Sequence, residues 1–175
     1  MINILDKKFT PLISREVIES RIAQIAAEIT KDYEGSCPLF IVVLNGAFLF
    51  ASELVKRTAL SCEITFIRLA SYSKTMSTGS VREIIGLDDN ITGRDIIIIE
   101  DIVDTGLTMA QLVKQIENLN PASVAIATLL HKPDALKTPI EIRYTGFDIE
   151  NKFVVGYGLD YDGLGRNLDA LYVLA

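Results

Sequence analysis

Cysteine and histidine are scarce in this chain, and their scarcity excludes several kinds of site. The 175 residues include two cysteines and one histidine. Cys37 and Cys62 have no CxxC spacing, so they predict two free thiols in a reducing compartment rather than a disulfide framework. A lone histidine, His131, forms no catalytic constellation, and we interpret it as a bystander rather than a base.

Excess positive charge and long apolar runs are also missing. Lys and Arg number 17 against 23 Asp and Glu, a formal net charge of −6, whereas a nucleic-acid binder normally carries a basic face. A small anionic ligand stays compatible with this charge, because a few local donors and Mg²⁺ can hold it. No apolar run approaches the roughly 18–20 residues of a membrane span, and residues 1–8 show no signal-peptide pattern. We therefore expect a cytoplasmic protein with neither a membrane nor a nucleic-acid partner.

The chain does contain enough apolar sequence for a folded core. Hydrophobic residues make up 49% of the sequence and charged residues 23%, which is ordinary for a soluble globular protein. At this length we expect one domain over residues 1–175. No internal repeat, low-complexity tract or linker divides it.

The spacing of apolar residues predicts an α/β fold. Isoleucines separated by four, three and four positions mark one face of a helix between Ser14 and Tyr33. Further helices are predicted at 48–57 and 107–119, and strands at 39–44, 62–69, 84–87, 96–99, 124–130 and 153–157. The polar stretch from Ser71 to Arg82 is predicted to be a lid loop. This order of elements is typical of a central, mostly parallel β-sheet flanked by helices.

Residues 96–108, Ile-Ile-Ile-Ile-Glu-Asp-Ile-Val-Asp-Thr-Gly-Leu-Thr, are the most informative stretch. Four consecutive isoleucines predict a strand buried on both faces, and this strand runs directly into Glu100 and Asp101. Burying an unpaired carboxylate is costly, so a metal or hydroxyl partner is expected. Gly106 permits a turn, after which threonine hydroxyls and free N–H groups can surround an anion at a helix start. The stretch therefore predicts a site for a phosphorylated polyol.

Each feature also has a purely structural explanation. A Thr-Gly-x-Thr sequence at a helix start can be a simple N-cap. Taken singly, Lys132 would be a solvated lysine at a strand end, Phe153 a core residue and Arg166 a surface residue. The order and spacing of these residues, rather than any one of them, favour a functional interpretation.

The stretch from Ile96 to Met109 resembles the phosphoribosyl-diphosphate motif of the type I phosphoribosyltransferases. Residues 153–161, Phe-Val-Val-Gly-Tyr-Gly-Leu-Asp-Tyr, followed by Arg-Asn-Leu at 166–168, are similar to the C-terminal signature of the hypoxanthine (hypoxanthine-guanine) branch. The resemblance covers the chain from about 39 to 174. It implies the type I phosphoribosyltransferase fold, with a small hood from the N-terminal and C-terminal segments and a flexible lid loop at about 71–84.

The activity that the resemblance implies is purine salvage. Such a glycosyltransferase moves ribose 5-phosphate from 5-phosphoribosyl 1-diphosphate to hypoxanthine, guanine or both, giving IMP or GMP and pyrophosphate. Breaking the bond to the diphosphate builds positive charge on the ribose and negative charge on the leaving group. Positioning and electrostatic stabilisation should therefore dominate catalysis, with Mg²⁺ as the cofactor.

On the donor side, the resemblance assigns Glu100 and Asp101 to the ribose hydroxyls and their Mg²⁺. Asp104 falls at the position of the general base that takes a proton from purine N7. The 5′-phosphate would be bound by Asp104, Thr105, Gly106, Leu107 and Thr108. The diphosphate would be bound by Asn45, Gly46, Arg166 and two lid residues, Ser71 and Tyr72.

On the purine side, Lys132 matches the lysine that donates to purine O6. This contact selects oxo over amino purines, because a cation cannot accept a hydrogen bond from an amine. Phe153 would stack on the base, while the Val154 backbone and Asp160 read its other edge. Asp160 also matches a second metal position, through water.

One position departs from the family pattern. The second residue of the diphosphate loop is commonly Lys or Arg, and here it is Asn45. The backbone N–H groups of Asn45 and Gly46 are retained, but one positive charge is lost. The Leu44–Asn45 peptide corresponds to a cis bond in this family.

The main alternative is a non-catalytic nucleotide-binding regulator on the same fold. The net charge of −6 and the retained Asp104 and Lys132 favour the enzyme. An adenine or orotate branch conflicts with Lys132 and with the block at 153–160. The family further suggests a homodimer or a homotetramer.

Overall fold

The computed structural model describes residues 1–71, 82–87 and 90–175. The helices, in chain order, are α1 (Arg15–Asp32), α2 (Phe48–Arg57) and α3 (Leu107–Glu117). The strands are β1 (Ile2–Ile4), β2 (Lys7–Ile13), β3 (Leu39–Leu44), β4 (Glu63–Ser71), β5 (Arg82–Ile85), β6 (Asp95–Val103), β7 (Ser123–His131), β8 (Tyr144–Asp148), β9 (Val154–Val155) and β10 (Leu171–Leu174).

A six-stranded sheet in the order β5-β4-β3-β6-β7-β8 forms the centre of the fold. Its pairs are all parallel except β4 with β5, which confirms the predicted mostly parallel sheet. The four consecutive isoleucines of β6, at 96–99, are fully buried. Ile97 and Ile99 pack into the core under α1 and α2, whereas Ile96 and Ile98 pack into the core under α3. Side chains alternate between the two faces of a strand, so both faces of β6 must be apolar.

The helices lie where the apolar spacing places them. The four spaced isoleucines of α1 are fully buried. Ser14 occupies the N-cap position, but its hydroxyl donates to the Glu16 carboxylate and makes no capping bond to a backbone N–H. The third helix ends at Glu117, before the predicted Leu119, and the chain then turns through Asn120 at φ +55.

A second, smaller sheet in the order β1-β2-β10-β9 joins the two ends of the chain. Its core is formed by Ile4, Phe9 and Val155. Apolar spacing alone predicted neither β1, β2 and β10 nor the central-sheet strand β8. Strands β2 and β10 pair between residues more than 150 positions apart, so their pairing leaves no local signal in the sequence.

The predicted strand at 153–157 is wrong beyond Val155. The backbone enters positive φ at Gly156 (+98), Tyr157 (+47) and Gly158 (+104), which extended strands do not adopt. The Gly156 N–H donates to the Leu159 carbonyl and closes a tight turn. The predicted strand at 84–87 is likewise shifted, because β5 spans Arg82–Ile85. Of the two predicted lid residues, Ser71 ends β4 and Tyr72 lies outside the described residues.

Candidate active site

The carboxyl ends of three neighbouring parallel strands bring the predicted site residues to one edge of the sheet. Asn45 follows β3, Glu100 and Asp101 lie near the end of β6, and Lys132 follows β7. The Lys132 N–H donates to the Val103 carbonyl at 3.0 Å, which joins the end of β7 to the end of β6. This edge is where parallel α/β sheets bind their ligands.

A small cradle opens at the N-terminus of α3. Gly106 is the N-cap residue at φ +76, a conformation that suits glycine. A side chain at 106 would also meet the Thr138 carbonyl oxygen at 2.9 Å. The adjoining cavity of about 160 Å³ is lined by Glu100, Ile102, Val103, Asp104, Thr105, Gly106, Thr108 and Met109. The first N–H groups of a helix lack intrahelical partners, so this cradle can bind a phosphate.

The Asp101 carboxylate lies under the loop at 44–47, which the resemblance assigns to the diphosphate (the diphosphate loop). Burial raises the pKa of Asp101 above its ordinary value, while hydrogen bonds involving the Glu100 side chain and the Ile102 backbone act in the opposite direction. The Ile102 N–H donates to Asp101 Oδ1 at 2.8 Å. A bound cation would stabilise the ionised carboxylate at such a desolvated position.

Three chain segments meet here without room for a side chain. A Cβ on Gly46 would lie 1.5 Å from Asp101 Oδ2, and a Cβ on Gly158 would lie 1.9 Å from the Gly46 carbonyl oxygen. The Leu44–Asn45 peptide immediately before this contact is cis, as the resemblance implied. The diphosphate loop is therefore packed between the end of β6 and the turn after β9.

Arg166 reaches the same turn. Its guanidinium pairs with Asp160 Oδ1 at 2.6 Å and donates to the Gly158 carbonyl at 2.8 Å. The second Asp160 oxygen accepts the Gly163 N–H at 2.7 Å. The structure thus holds Arg166 beside Gly46 through Gly158, and both oxygens of Asp160 have protein partners.

Lys132 and Asp104 form an ion pair in the centre of the site. The ammonium Nζ lies 3.0 Å from Asp104 Oδ2. The Lys132 side chain is only 8% exposed, whereas that of Asp104 is 47% exposed. The alternative that Lys132 is a solvated strand-end lysine is therefore wrong. The Asp104 carboxylate is the half of the pair that faces the open site.

Phe153 presents an aromatic face rather than filling the core. The residue is 44% exposed. It is held by Phe9 at a centroid distance of 6.3 Å and by Tyr161 in an edge-on contact at 5.9 Å. The Tyr161 hydroxyl in turn donates to Asp6. Sequence patterns gave Phe9 and Asp6 no role, because both come from the N-terminal hairpin, far from Phe153 along the chain.

Arg68 is a further side chain at the site that sequence analysis missed. It lies on β4, in register with Leu44 of β3, and its Nη2 donates to Asn45 Oδ1 at 3.1 Å. No motif marks this residue. Only the parallel pairing of β3 with β4 brings it beside the diphosphate loop.

The described residues also bear on two further features, a metal site and a membrane span. Within the described ranges, no group of three or more His, Cys, Asp and Glu side chains is arranged to hold a metal ion. The hard carboxylate oxygens of Glu100 and Asp101 nevertheless suit Mg²⁺, which keeps several non-protein oxygens as ligands. In the part of the chain that the structure describes, no helix is long and apolar enough to span a membrane.

Comparison with known proteins assigns the chain to a family. The phosphoribosyl transferase domain family matches residues 14–162. The hypoxanthine-guanine phosphoribosyltransferase of Mycobacterium tuberculosis is 44% identical over 170 residues, covering 93% of this chain and 84% of the relative. The chain belongs to the hypoxanthine-guanine phosphoribosyltransferase family. The Bacillus subtilis member is 43% identical over 164 residues, covering 93% and 91% of the two chains.

Solved structures agree with this assignment. A hypoxanthine phosphoribosyltransferase from Staphylococcus aureus superposes with a TM-score of 0.89 at 36% identity, covering 100% of this chain and 97% of that one. The predicted fold class, the purine-salvage phosphoribosyltransferase activity and the enzyme class are thereby confirmed. The non-catalytic regulator finds no support among these relatives.

Proposed function

We propose that this phosphoribosyltransferase converts hypoxanthine, guanine or both to the nucleoside monophosphate, with Asp104 as the general base. The observation that carries the proposal is the Lys132–Asp104 pair, whose Nζ and Oδ2 atoms lie 3.0 Å apart. A 6-oxopurine carries O6 and N7 side by side on one edge. An ammonium donor next to a carboxylate acceptor complements O6 and a protonated N7.

The purine is held by groups from two parts of the chain. The exposed face of Phe153 stacks on the ring, supported by Phe9 and Tyr161. Lys132 donates to O6, and its burial excludes water from that contact. An amino group at this position would place a donor against a donor, so adenine is disfavoured. The Val154 backbone and Asp160 contact the opposite edge.

The donor lies along the strand ends. The N-terminus of α3 binds the 5′-phosphate, and Glu100 and Asp101 hold the ribose hydroxyls. The diphosphate lies against the backbone of Asn45 and Gly46 and draws Arg166 away from Asp160. Glu100, Asp101 and, by way of water, Asp160 would hold Mg²⁺, which when bound would supply positive charge to the leaving diphosphate. As the ring nitrogen bonds to C1 of the ribose, the C1–O bond breaks and the N7 proton moves to Asp104.

A spectrophotometric assay tests this function. We expect turnover of 5-phosphoribosyl 1-diphosphate with Mg²⁺ and hypoxanthine or guanine, and no measurable turnover of adenine. Removing Mg²⁺ with a chelator should abolish the reaction, because the leaving diphosphate then lacks its counter-charge. Absence of turnover with every oxopurine, or equal turnover of adenine, would refute the proposal.

We further propose that the protein is a homo-oligomer that pairs through the outer face of β4. Ile64 and Phe66 are exposed, although their partners in register on β3, Phe40 and Val42, are buried in the core that α2 covers. Helix α2 packs on β3 and β6, so the apolar face of the sheet continues onto β4, which α2 does not cover. Phe48, at the start of α2, is a further exposed apolar residue. Two copies of one apolar surface can bury each other about a two-fold axis.

Phe66→Glu is expected to shift the oligomer to monomer, because a carboxylate would be buried in the proposed interface. Size-exclusion chromatography with light scattering measures the mass directly. Leu119→Glu, at an exposed apolar residue after α3, is the matched control and should leave the mass unchanged. An oligomer that survives Phe66→Glu would contradict this surface.

We place the enzyme in the cytoplasm. Both cysteines are free, with Cys37 exposed and Cys62 half-buried. Burial raises the pKa of the Cys62 thiol, which keeps it protonated and unreactive. Free, exposed thiols are typical of a reducing compartment.

A further inference from the structure

The diphosphate loop carries little positive charge of its own. Asn45, Gly46 and Ala47 are all uncharged. The cation that the sequence analysis assigns to the diphosphate, Arg166, is paired with Asp160 at 2.6 Å. A diphosphate ester carries several negative charges, so neutral donors alone give it weak binding compared with charge-assisted hydrogen bonds.

Arg68 brings a guanidinium to this loop from the neighbouring strand. Parallel pairing sets Arg68 opposite Leu44, the first residue of the loop. Its Nη2 lies 3.1 Å from Asn45 Oδ1, and the side chain is exposed at the same edge of the sheet. The backbone register therefore places Arg68 beside the loop, and its exposed side chain makes the contact with Asn45.

The ion pairing of Arg68 differs from that of the six other arginines whose side chains the structure describes. Six arginines each lie within 4.0 Å of a carboxylate: Arg15, Arg21, Arg57, Arg94, Arg143 and Arg166. Among the side chains that the structure describes, no carboxylate forms such a pair with Arg68. Its charge is thus not neutralised by a described acidic neighbour and stays available to an anion.

The contact also fixes the orientation of the Asn45 amide. A guanidinium only donates hydrogen bonds, so it must face the Asn45 amide oxygen. The Nδ2 donors of Asn45 are then left to face a diphosphate bound by the loop. We propose that Arg68 is a positioning and charge-supplying residue for the donor diphosphate, acting with Asn45 as a two-residue substitute for a cation within the loop. This inference rests on the proposed function, since it assumes that the Asn45–Gly46 loop binds the diphosphate.

Arg68→Gln tests the inference, because it keeps a hydrogen-bond donor and removes the charge. We expect the dissociation constant for 5-phosphoribosyl 1-diphosphate with Mg²⁺, measured by calorimetry without purine, to rise about tenfold, the scale of one charge-assisted hydrogen bond. The KM for the donor should rise in parallel, with the KM for hypoxanthine and kcat nearly unchanged. A purely structural role would instead lower the unfolding temperature and affect both substrates.

Rescue makes the test specific. Adding Asn45→Lys to Arg68→Gln should restore donor affinity to within about threefold of the original protein, since the charge returns to the loop itself. Lys56→Gln removes an equal charge from an exposed position of α2 and should leave donor affinity unchanged. Unchanged donor affinity in Arg68→Gln, or failure of the rescue, would overturn the role of Arg68. If the original protein binds no donor at all, the proposed function falls and this inference falls with it.

Discussion

Asp104→Asn is expected to lower kcat by about 10²-fold or more, the usual scale for loss of a general base. The amide has nearly the shape of the carboxylate, and its oxygen can still accept a hydrogen bond from the Lys132 ammonium. In the original protein that ammonium lies 3.0 Å from Asp104 Oδ2. It cannot, however, take up the N7 proton. We therefore expect the KM for 5-phosphoribosyl 1-diphosphate to change by less than about threefold while turnover falls. Steady-state kinetics with both substrates varied separates the two effects.

Asp134→Asn is the matched control for this experiment. Asp134 is an exposed acid two residues after Lys132, so the substitution removes the same charge near the site without touching the pair. Its kinetics should match the original protein. Turnover in Asp104→Asn equal to that of Asp134→Asn would remove Asp104 from the general-base role.

Gly46→Ala is expected to lower kcat/KM for the donor by about 10²-fold, the effect of displacing a binding group by about 1 Å. The added methyl carbon would start 1.5 Å from Asp101 Oδ2, so either the loop or the carboxylate must move. Such overpacking should also lower the free energy of unfolding by about 1–3 kcal/mol. Thermal denaturation and steady-state kinetics measure the two losses.

Two further variants identify the cause. Gly35→Ala meets no atom within 4 Å but has φ +81, so it should cost about 1–2 kcal/mol of stability without affecting kcat/KM. In an Asp101→Ala background the stability cost of Gly46→Ala should shrink, because the colliding carboxylate is gone. An undiminished cost in that background would show that the loop clashes with something other than Asp101.

The central strand and the carboxylates at its end were predictable from local sequence. Four adjacent isoleucines favour a strand covered on both faces, and helices on both faces of the sheet cover β6. The phosphate cradle follows from a glycine at positive φ just before α3. These features depend on residues within about ten positions of one another, so the sequence displays them directly.

The Phe153 environment and the role of Arg68 were not predictable in this way. Phe153 is held by Phe9 across the small sheet that joins the chain ends. Arg68 meets Asn45 only because β3 and β4 pair in one register, and a shift by one residue would turn the Arg68 side chain to the other face. The predicted lid residue Tyr72 lies outside the described residues, and its role stays a prediction.

The sequence by itself determined the α/β class, the family and the residue types at the donor site, because apolar periodicity and contiguous motifs are local properties. Only the tertiary structure decided which side chains meet. In the folded chain Lys132 is buried against Asp104, and Gly46 is packed between Asp101 and Gly158. These contacts arise from strand register and from turns at positive φ, which join segments far apart in the chain and have no counterpart in any single stretch of sequence.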